Sequence, residues 1–581
     1  MTYYGHGGNM HWCRQEKKQN MENISNLFMF AGGIGMFLYG MNIMADGMQK
    51  SAGGKMKQLL GYLTSNRLLA IIVGALITAI IQSSGATTVM VVGFVNAGIM
   101  SLVQAVGVIM GANIGTTITA WIVSLGQLGD AAKVMQPSFY APLLIGIGAF
   151  IILFSKKTKS NNVGEIIVGI GLLFEGLDFM SSSIAPYTDL PIFSEAFKVV
   201  GSNPLLGILI GIVVTAILQS SSASVGILQT LAINGVVTTS SAIYITLGQN
   251  IGSCVTALIS CAGTTRTAKR AACMHLLFNI FGALLFGTIG FLLFTFHPAI
   301  AHSNINSVQI SIFHTLFNIT CTAVMFPFAK VLVKLSGLII REKEDNIVMD
   351  KDDEDAVEIS RHFDPRILEQ PSVAVERALF EVVQMGKLAR KNISYATRAI
   401  MSNDAEMVQK VLKTENDVDI YEKYLTEFLI KVNNLSITDE QHLLVNNLFH
   451  AVIDIERISD HAENLADLAQ YKIDNQIVFS DSGTEELKQL WKKVKECVDA
   501  AIDARETKSE ESVRRVLEDE DDVDKLEEQL RNEHIKRLSS GKCLPSNGVI
   551  FLDILSNLER MSDHANNIAD CVEEENSAKK K

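Results

Sequence analysis

The first 340 residues of this 581-residue chain contain very few charged side chains. They hold 17 Lys and Arg residues and 9 Asp and Glu residues, whereas residues 341–581 hold 33 and 53. So large a difference indicates two parts that fold in two different solvents. The acidic second part lacks the basic surface that binding to a phosphate backbone requires, so we expect no nucleic-acid partner.

The sequence also lacks the motifs of several other protein classes. Its eight cysteines form no CxxC pair and no metal-ligand spacing, which argues against a zinc ribbon or a disulfide framework. It shows no nucleophile with a matching base and no nucleotide-binding loop, so we do not expect an enzyme. Because polar residues precede Met21 and apolar ones follow it, we expect Met21 to be the native start and 1–23 to be an extension.

What the first part does contain is a series of long apolar segments. A helix needs about 20 predominantly apolar residues to span a bilayer. We therefore predict an all-α, polytopic membrane protein with its transmembrane domain at 24–340. The spans are predicted at about 24–48, 101–125, 139–155, 163–184, 239–261, 273–297 and 308–336.

Two further apolar stretches, at about 66–98 and 203–235, are interrupted halfway by the strings QSSG and QSSS. Each predicts a re-entrant helical hairpin, in which two half-helices meet at a polar tip. The sequence from Asn66 aligns with the sequence from Asn203 at an offset of 137 residues, and this offset holds onward to the strings GANIGT and GQNIGS. The chain therefore contains an internal repeat, with its two copies at about 24–125 and 163–261.

The distribution of basic residues predicts the orientation of this domain. Lys and Arg cluster in the loops around Lys55, Lys157 and Lys269, whereas the loop at 298–307 has neither. Because Lys and Arg accumulate in cytoplasmic loops, we expect the C-terminal part to lie in the cytoplasm. From the start of the first helix to the start of its repeat mate, the chain crosses the membrane three times. Because this number is odd, the second repeat is predicted to be inverted, as in many secondary transporters.

The polar tips offer groups that could bind ions within the membrane. A helix that begins at a tip presents free N–H groups to an anion, and a helix that ends there presents carbonyls to a cation. Capping and helix adhesion are the alternative role, which the duplication in register disfavours. The candidate residues for substrate and ions are Gln82, Ser83, Ser84, Thr87, Asn113, Thr116, Thr117, Gln219, Ser220, Ser221, Ser222, Ser224, Asn250 and Ser253.

Two acidic residues, Glu175 and Asp178, lie within the span predicted at 163–184. Charged side chains are costly in a membrane and are therefore functional candidates. Their repeat mates, Tyr39 and Asn42, are not acidic. The sequence leaves open whether the two carboxyl groups bind sodium or lie protonated or solvated near an interface.

The repeated QSSG and QSSS tips, each followed by a GxNIGT or GxNIGS string, resemble the sodium-dependent phosphate cotransporter family of bacteria and animals. The resemblance covers about residues 24–336. It implies inorganic phosphate as the substrate, sodium as the driving ion, and the Gln and Ser tips as the binding region in a bacterial inner membrane. The first tip departs from the pattern, because Gly85 stands where the second tip has Ser222.

The second part begins with a charged linker at 341–361 and continues as a domain at 362–581. Apolar residues recur there at helical spacing among many charges, which predicts two three-helix bundles at about 370–475 and 480–575. DIERISDHAENLAD aligns with NLERMSDHANNIAD at an offset of 103. Acidic residues four apart share a helix face and could hold a metal ion or form a solvated surface. They are Glu415, Asp419, Glu456, Asp460, Glu520, Asp524, Glu559 and Asp563.

This double repeat resembles the PhoU family, whose paired acidic motifs bind metal ions. The resemblance implies regulation by phosphate and divalent or transition metal sites at those eight acids. We predict a secondary transporter that couples sodium to the movement of inorganic phosphate, tuned by the cytoplasmic bundles and by a regulatory protein or a second copy of the chain. The alternatives are a transporter of another small anion, such as sulfate, and a phosphate receptor that does not translocate.

Overall fold

The computed structural model describes residues 7–61, 66–125, 137–155, 157–188, 190–341, 356–357 and 359–580. In these ranges the chain forms helices, and the β pairing consists of one isolated bridge between Thr238 and Asn304. The chain divides into a first unit, residues 1–345, and a second unit, residues 346–581. The prediction of an all-α protein is confirmed.

The described residues of the first unit form fifteen α-helices. Asparagine caps open three of them: the Oδ1 atom of Asn66 accepts from the backbone N–H of Leu68 at 3.0 Å, that of Asn203 from Leu205 at 3.1 Å, and that of Asn306 from Gln309 at 2.8 Å. The helices are α1 Gly7–Gly61, α2 Arg67–Ile81, α3 Ser84–Asn96, α4 Leu102–Leu125, α5 Pro137–Phe154, α6 Thr158–Ile184, α7 Pro191–Ser202, α8 Pro204–Leu218, α9 Ser221–Ile233, α10 Thr239–Gly252, α11 Cys254–Ser260, α12 Arg266–Phe296, α13 Pro298–Ala301, α14 Ser307–Met325 and α15 Ala329–Ile339.

Several of these helices are long and apolar enough to cross a membrane. Among the described residues there are five such segments, and a sixth if α7 and α8, which meet at a bend of 109°, count as one. This finding confirms a polytopic membrane protein, although α5 and α6 do not meet the same criterion of length and composition. The five segments are Met21–Ser51, Leu102–Leu125, Thr239–Ser260, Arg266–Phe296 and Ser307–Met325.

The last predicted span, at 308–336, is in fact two helices, so that prediction is wrong. Helix α14 ends at Met325, and α15 begins at Ala329. Pro327 lies in the break between them. Proline has no N–H to donate to the carbonyl four residues earlier, and its ring crowds that carbonyl, which explains why the helix stops.

Helices α1 and α6, which are repeat mates, pack against each other in opposite directions. A Cβ atom added at Gly33 would lie 2.8 Å from the carbonyl oxygen of Gly176, and one at Gly40 would lie 2.7 Å from that of Gly169. The two backbones are therefore in direct contact, which only glycine permits. Gly33 aligns with Gly169 and Gly40 with Gly176. The repeat mates of the two residues in one contact therefore form the other contact, as a two-fold axis requires. This antiparallel arrangement agrees with an inverted repeat.

The interrupted stretches are helix pairs, and the first pair folds back on itself. Thr78 precedes the tip and Thr87 follows it, yet their hydroxyl oxygens are 3.1 Å apart. In a straight helix nine residues would separate them by about 13 Å. Glycine also lets each pair pack closely on the third helix of its repeat: a Cβ atom at Gly111 would overlap the carbonyl oxygen of Ile71, and one at Gly248 would overlap that of Ile208.

The described residues of the second unit include six long α-helices that form two three-helix bundles, as predicted. Each helix of a bundle packs on the other two, and the bundles join through α18 with α21 and α16 with α19. Apolar residues at helical spacing, such as Val445, Leu448 and Ile455 on α18, are fully buried in the core. The helices are α16 Pro371–Ser402, α17 Ala405–Asn433, α18 Asp439–Asp474, α19 Asp481–Thr507, α20 Glu510–Ser539 and α21 Pro545–Lys580.

Candidate functional site

The two tips have the same backbone geometry. Helix α2 ends at Gln82 with φ 58°, and α8 ends at Gln219 with φ 52°, both in the left-handed region. The next residue caps the following helix: the Ser83 hydroxyl accepts from the backbone N–H of Ala86 at 3.1 Å, and the Ser220 hydroxyl accepts from Ala223 at 3.2 Å. A left-handed conformation costs a residue with a side chain about 1 kcal/mol or more, so glutamine here indicates that the side chain is needed.

Both glutamine side chains hold the third helix of their repeat. The Nε2 group of Gln82 donates to the carbonyl of Ala79, and that of Gln219 donates to the carbonyl of Ala216 at 2.6 Å. The Oε1 atom of Gln82 accepts from the hydroxyl of Thr119 at 2.8 Å, and that of Gln219 accepts from the hydroxyl of Thr256 at 3.0 Å. Thr119 and Thr256 are repeat mates, so this pairing is duplicated.

The two tips meet. The hydroxyl oxygens of the repeat mates Ser84 and Ser221 are 3.4 Å apart, and the Ser222 hydroxyl donates to Thr119 at 3.4 Å. A cavity of about 180 Å³ lies at this junction. No Lys, Arg, Asp or Glu is among its lining residues within the part of the chain that the structure describes. They are Met41, Asn42, Ala45, Ile81, Gln82, Ser83, Ser84, Gly85, Gln219, Ser220, Ser221, Ser222, Ser253 and Thr256.

The departure at Gly85 has a structural counterpart. A Cβ atom at Gly85 would lie 3.5 Å from the Cγ2 atom of Thr256, an ordinary contact. At the equivalent place in the other repeat, Ser222 bonds to Thr119. The first tip therefore presents one hydroxyl fewer to its neighbouring repeat than the second tip does.

The second unit contains two acidic clusters, one in each bundle. The carboxylates of Glu415, Asp419 and Asp460 lie within 4.8 Å of one another, as do those of Glu520, Asp524 and Asp563. Each cluster joins two residues of one helix to one residue of the next. An oxygen-rich site of this kind suits a hard or borderline metal cation.

The electrostatics of the first cluster show how unfavourable it is without a counter-ion. Burial, followed by a hydrogen bond and charge repulsion from Asp419, raises the pKa of Glu415 to about 8. Burial and the charge of Asp460 raise the pKa of Glu456 to about 7. Burial likewise raises the pKa of Glu520 and Asp563 in the second cluster, with Asp524 adding repulsion. A bound cation would relieve this repulsion.

Sequence comparison decides which family this arrangement represents. Residues 36–182 and 191–319 match the Na+/Pi-cotransporter family. The first unit belongs to that family. Residues 382–469 and 487–572 match the PhoU domain, so the second unit carries two copies of it, one in each bundle.

Individual relatives share this organisation to different extents. YjbB of Salmonella typhimurium, which carries the provisional name of an inorganic phosphate export protein, is 24% identical over 520 residues, covering 88% of this chain and 91% of that protein. The human sodium-dependent phosphate transport protein 2B is 33% identical over 129 residues, 21% of this chain and 19% of that protein. The crystal structure of PhoU from Pseudomonas aeruginosa shows 23% identity over 35% of this chain and 98% of that chain, with a TM-score of 0.34.

The Na+/Pi-cotransporter unit does not bring all the predicted residues to one place. Eight of the fourteen polar candidates line the cavity: the two glutamines, the five tip serines, and Ser253 at the end of α10.

 The tip residues in this group are Gln82, Ser83, Ser84, Gln219, Ser220, Ser221 and Ser222.

The remaining candidates are buried near the cavity without lining it. The Thr87 hydroxyl accepts from Thr78 and donates to the Ser83 carbonyl, and the Ser224 hydroxyl accepts from Gln249 at 2.9 Å. The amide of Asn250 contacts the ring of His314, with 3.4 Å between Oδ1 and Nε2. The other three side chains donate to carbonyls of their own helix: Asn113, Thr116 and Thr117.

The acids Glu175 and Asp178 lie on α6 and are not among the residues that line the cavity. Asp178 is exposed, and Glu175 is partly exposed. Their role as sodium ligands stays a prediction.

Sequence reasoning missed Thr119 and Thr256, which bind the two glutamines directly. The signal was present, because these threonines align at the same offset of 137 as the tips do. It also missed Glu463, whose negative charge raises the pKa of Glu415, although less than burial and Asp419 do. The repeat mate of Glu463 is Asn566, so the two acidic clusters of the PhoU domains are not equivalent.

Proposed function

We propose that this protein is a secondary active transporter that couples sodium to the movement of inorganic phosphate across a bacterial inner membrane. The observation that carries the proposal is the meeting of two inverted QSS tips at one cavity. Ser84 and Ser221 are 3.4 Å apart there, although 137 residues separate them in sequence. A site shared between inverted repeats can be exposed to either side in turn.

The chemistry of the cavity supports an anionic substrate. Helices α3 and α9 both begin there, at Ser84 and Ser221, so the positive ends of two helix dipoles and their free N–H groups converge. Serine hydroxyls add further donors. Phosphate carries more negative charge than these dipoles balance, and no basic side chain is among the described lining residues. We therefore expect co-bound cations to supply the remaining positive charge.

The same tips offer oxygen atoms to sodium. Helices α2 and α8 end at the tips, where their last carbonyls lack helical partners. Gln82 and Gln219 add amide oxygens, and Thr119 and Thr256 add hydroxyls beside them. Carbonyl, amide and hydroxyl oxygens are ligands that hard cations accept. In this arrangement the two hairpins would be re-entrant, and the direction of net transport would follow from the gradients of sodium and phosphate.

The PhoU unit would lie in the cytoplasm and adjust transport, since basic loops in the first unit place its C-terminus on that side. Its two acidic clusters would hold divalent or transition metal ions. Calorimetric titration of the purified protein with Mn2+ or Zn2+ tests this point, with Asp460→Asn and Asp563→Asn as variants. Equal metal binding by the wild type and both variants would argue against the assignment.

Radiolabelled phosphate uptake into proteoliposomes tests the proposed transport. We expect uptake that depends on an inward sodium gradient and is lost in Gln82→Ala and Gln219→Ala. A matched control is Gln104→Ala, which removes a glutamine from the start of α4, away from the residues that line the cavity. Uptake without sodium would remove the coupling, and competition by excess sulfate would identify a less selective anion transporter. Binding without net flux would instead indicate a receptor.

A further inference from the structure

A second set of buried oxygen atoms lies away from the tips, around Gln229 on α9. Its Nε2 group is 3.1 Å from the Ala120 carbonyl oxygen and 3.2 Å from that of Ser307. It is also 3.1 Å from the Ser124 hydroxyl oxygen and 2.9 Å from that of Ser311. We call these five residues the Gln229 cage. The side chain of Gln229 is fully buried, with 0% of its surface exposed.

The serine hydroxyls of the cage donate to the Ala120 and Ser307 carbonyls, but one buried atom of Gln229 has no partner. An amide NH2 group has two hydrogens, but four oxygens from α4 and α14 surround this one. The Oε1 atom of Gln229, in contrast, is buried and has no hydrogen-bond partner. A buried polar atom without a partner costs about 1–3 kcal/mol, so its presence calls for a ligand or another explanation.

The other repeat shows that the fold does not require polar residues here. Gln229 aligns with Val92 at the offset of 137, and Ser124 aligns with Cys261. The strings MHLLFN and FHTLFN align α12 with α14, which places Ser307 and Ser311 opposite Ala268 and Ala272. Val92, Ala268 and Ala272 are all buried. The same position is therefore filled by apolar packing in one repeat and by a polar cage in the other.

We infer that the Gln229 cage is a binding site for a monovalent alkali cation, sodium in the proposed transport cycle, distinct from the tip cavity. A half-turn of the terminal amide, whose torsion is soft, would direct Oε1 toward the four oxygens as a fifth ligand. All five oxygens are uncharged, which suits a monovalent ion better than a divalent one.

The site is well placed to influence the tips. Thr119, one turn before Ser124 on α4, binds both Gln82 and Ser222. Ser222 in turn lies two turns before Gln229 on α9. An ion in the cage would fix α4, α9 and α14 relative to one another and thereby stabilise one arrangement of the tips. The identity of the ion as sodium rests on the proposed function, whereas the existence of the site does not.

Equilibrium binding of radiolabelled sodium to the purified full-length protein, without phosphate, tests the inference. We expect Gln229→Met, which removes the amide but keeps the volume, to bind one sodium ion fewer per chain. Gln229→Glu shows whether the amide serves as a cation ligand or as a hydrogen-bond donor. A cation site keeps its ion when a carboxylate replaces the amide, whereas a hydrogen-bond network loses the NH2 donor that it needs.

The inference is overturned if Gln229→Met binds as many sodium ions as the wild type, or if Gln229→Glu also binds one sodium ion fewer while remaining monodisperse. Misfolding of Gln229→Met would be seen by size-exclusion chromatography, and Ser311→Ala then serves as the milder variant. Phosphate uptake separates this result from the proposed function. Sodium-dependent uptake that Gln229→Met leaves unchanged would argue only against a sodium ion in the Gln229 cage. Uptake that does not depend on sodium would argue against the proposed coupling.

Discussion

The two hairpins have matching sequences and matching tip geometry, yet they lie in different surroundings. Gln82 is 8% exposed, whereas its mate Gln219 is exposed. Helix α1 packs on α2, the first arm of the first hairpin, whereas its mate α6 packs on α9, the second arm of the second hairpin. Equivalent segments therefore adopt different packing, a difference that the proposed transport cycle would exchange between the two repeats. Such an exchange is how inverted repeats expose a site to alternate sides.

A second difference lies behind the tips. Thr78 and Thr87 are joined by a hydrogen bond across the first hairpin, at 3.1 Å. Their mates are Thr215 and Ser224, and the hydroxyl of Thr215 is buried without a partner. Ser224 accepts instead from Gln249. The first hairpin is therefore tied together, and the second is tied to its third helix.

The largest effect is expected from locking the tips together. The Ser84 and Ser221 hydroxyl oxygens are 3.4 Å apart, which is within reach of a disulfide after substitution to cysteine. We expect the oxidised Ser84→Cys/Ser221→Cys variant to lose phosphate transport, because the repeats could no longer exchange arrangements. The measurement is proteoliposome uptake before and after reduction. Each single variant is the control, and full activity of the oxidised double variant would contradict the exchange.

A smaller and unequal effect is expected from the threonines that bind the glutamines. Thr119→Val leaves the buried Oε1 of Gln82 without its partner, which costs about 1–3 kcal/mol of the free energy of unfolding. Thr256→Val should cost less, since Gln219 is exposed and water can replace the hydroxyl. Thermal unfolding of the two variants in detergent measures the difference. Equal destabilisation would show that the two tips do not differ in solvent access.

The smallest effect is expected from the threonines within the hairpins. Thr78→Val removes a buried hydrogen bond worth about 0.5–1.5 kcal/mol, whereas Thr215→Val removes a buried hydroxyl that has no partner. The first variant should therefore be less stable than the wild type, and the second should be equal to it or slightly more stable. The same unfolding experiment applies. A loss of stability in Thr215→Val as large as in Thr78→Val would show that its hydroxyl has a partner.

Much of the fold could be predicted because its signals are local. Polar QSS strings inside apolar stretches predict breaks, and apolar residues at helical spacing among many charges predict bundles. The end of α14 was also present in the sequence, since Pro327 terminates it, although the prediction ran the span past it to residue 336. The site was harder to predict. The tips line the cavity, but Asn113 and Thr117 donate hydrogen bonds to carbonyls of their own helix. Helix packing determines which of these polar side chains face the cavity.

By itself, the sequence determined the division into an apolar and a charged unit, the inverted repeat, the broken helices and the pair of bundles. Each of these follows from composition or from periodicity along a short segment. The tertiary structure alone decided that Ser84 meets Ser221, that Gln82 is buried where Gln219 is exposed, and that Gln229 is surrounded by Ser124 and Ser311. These contacts join residues that are 82 to 137 positions apart, and they depend on how whole helices pack, which no local pattern specifies.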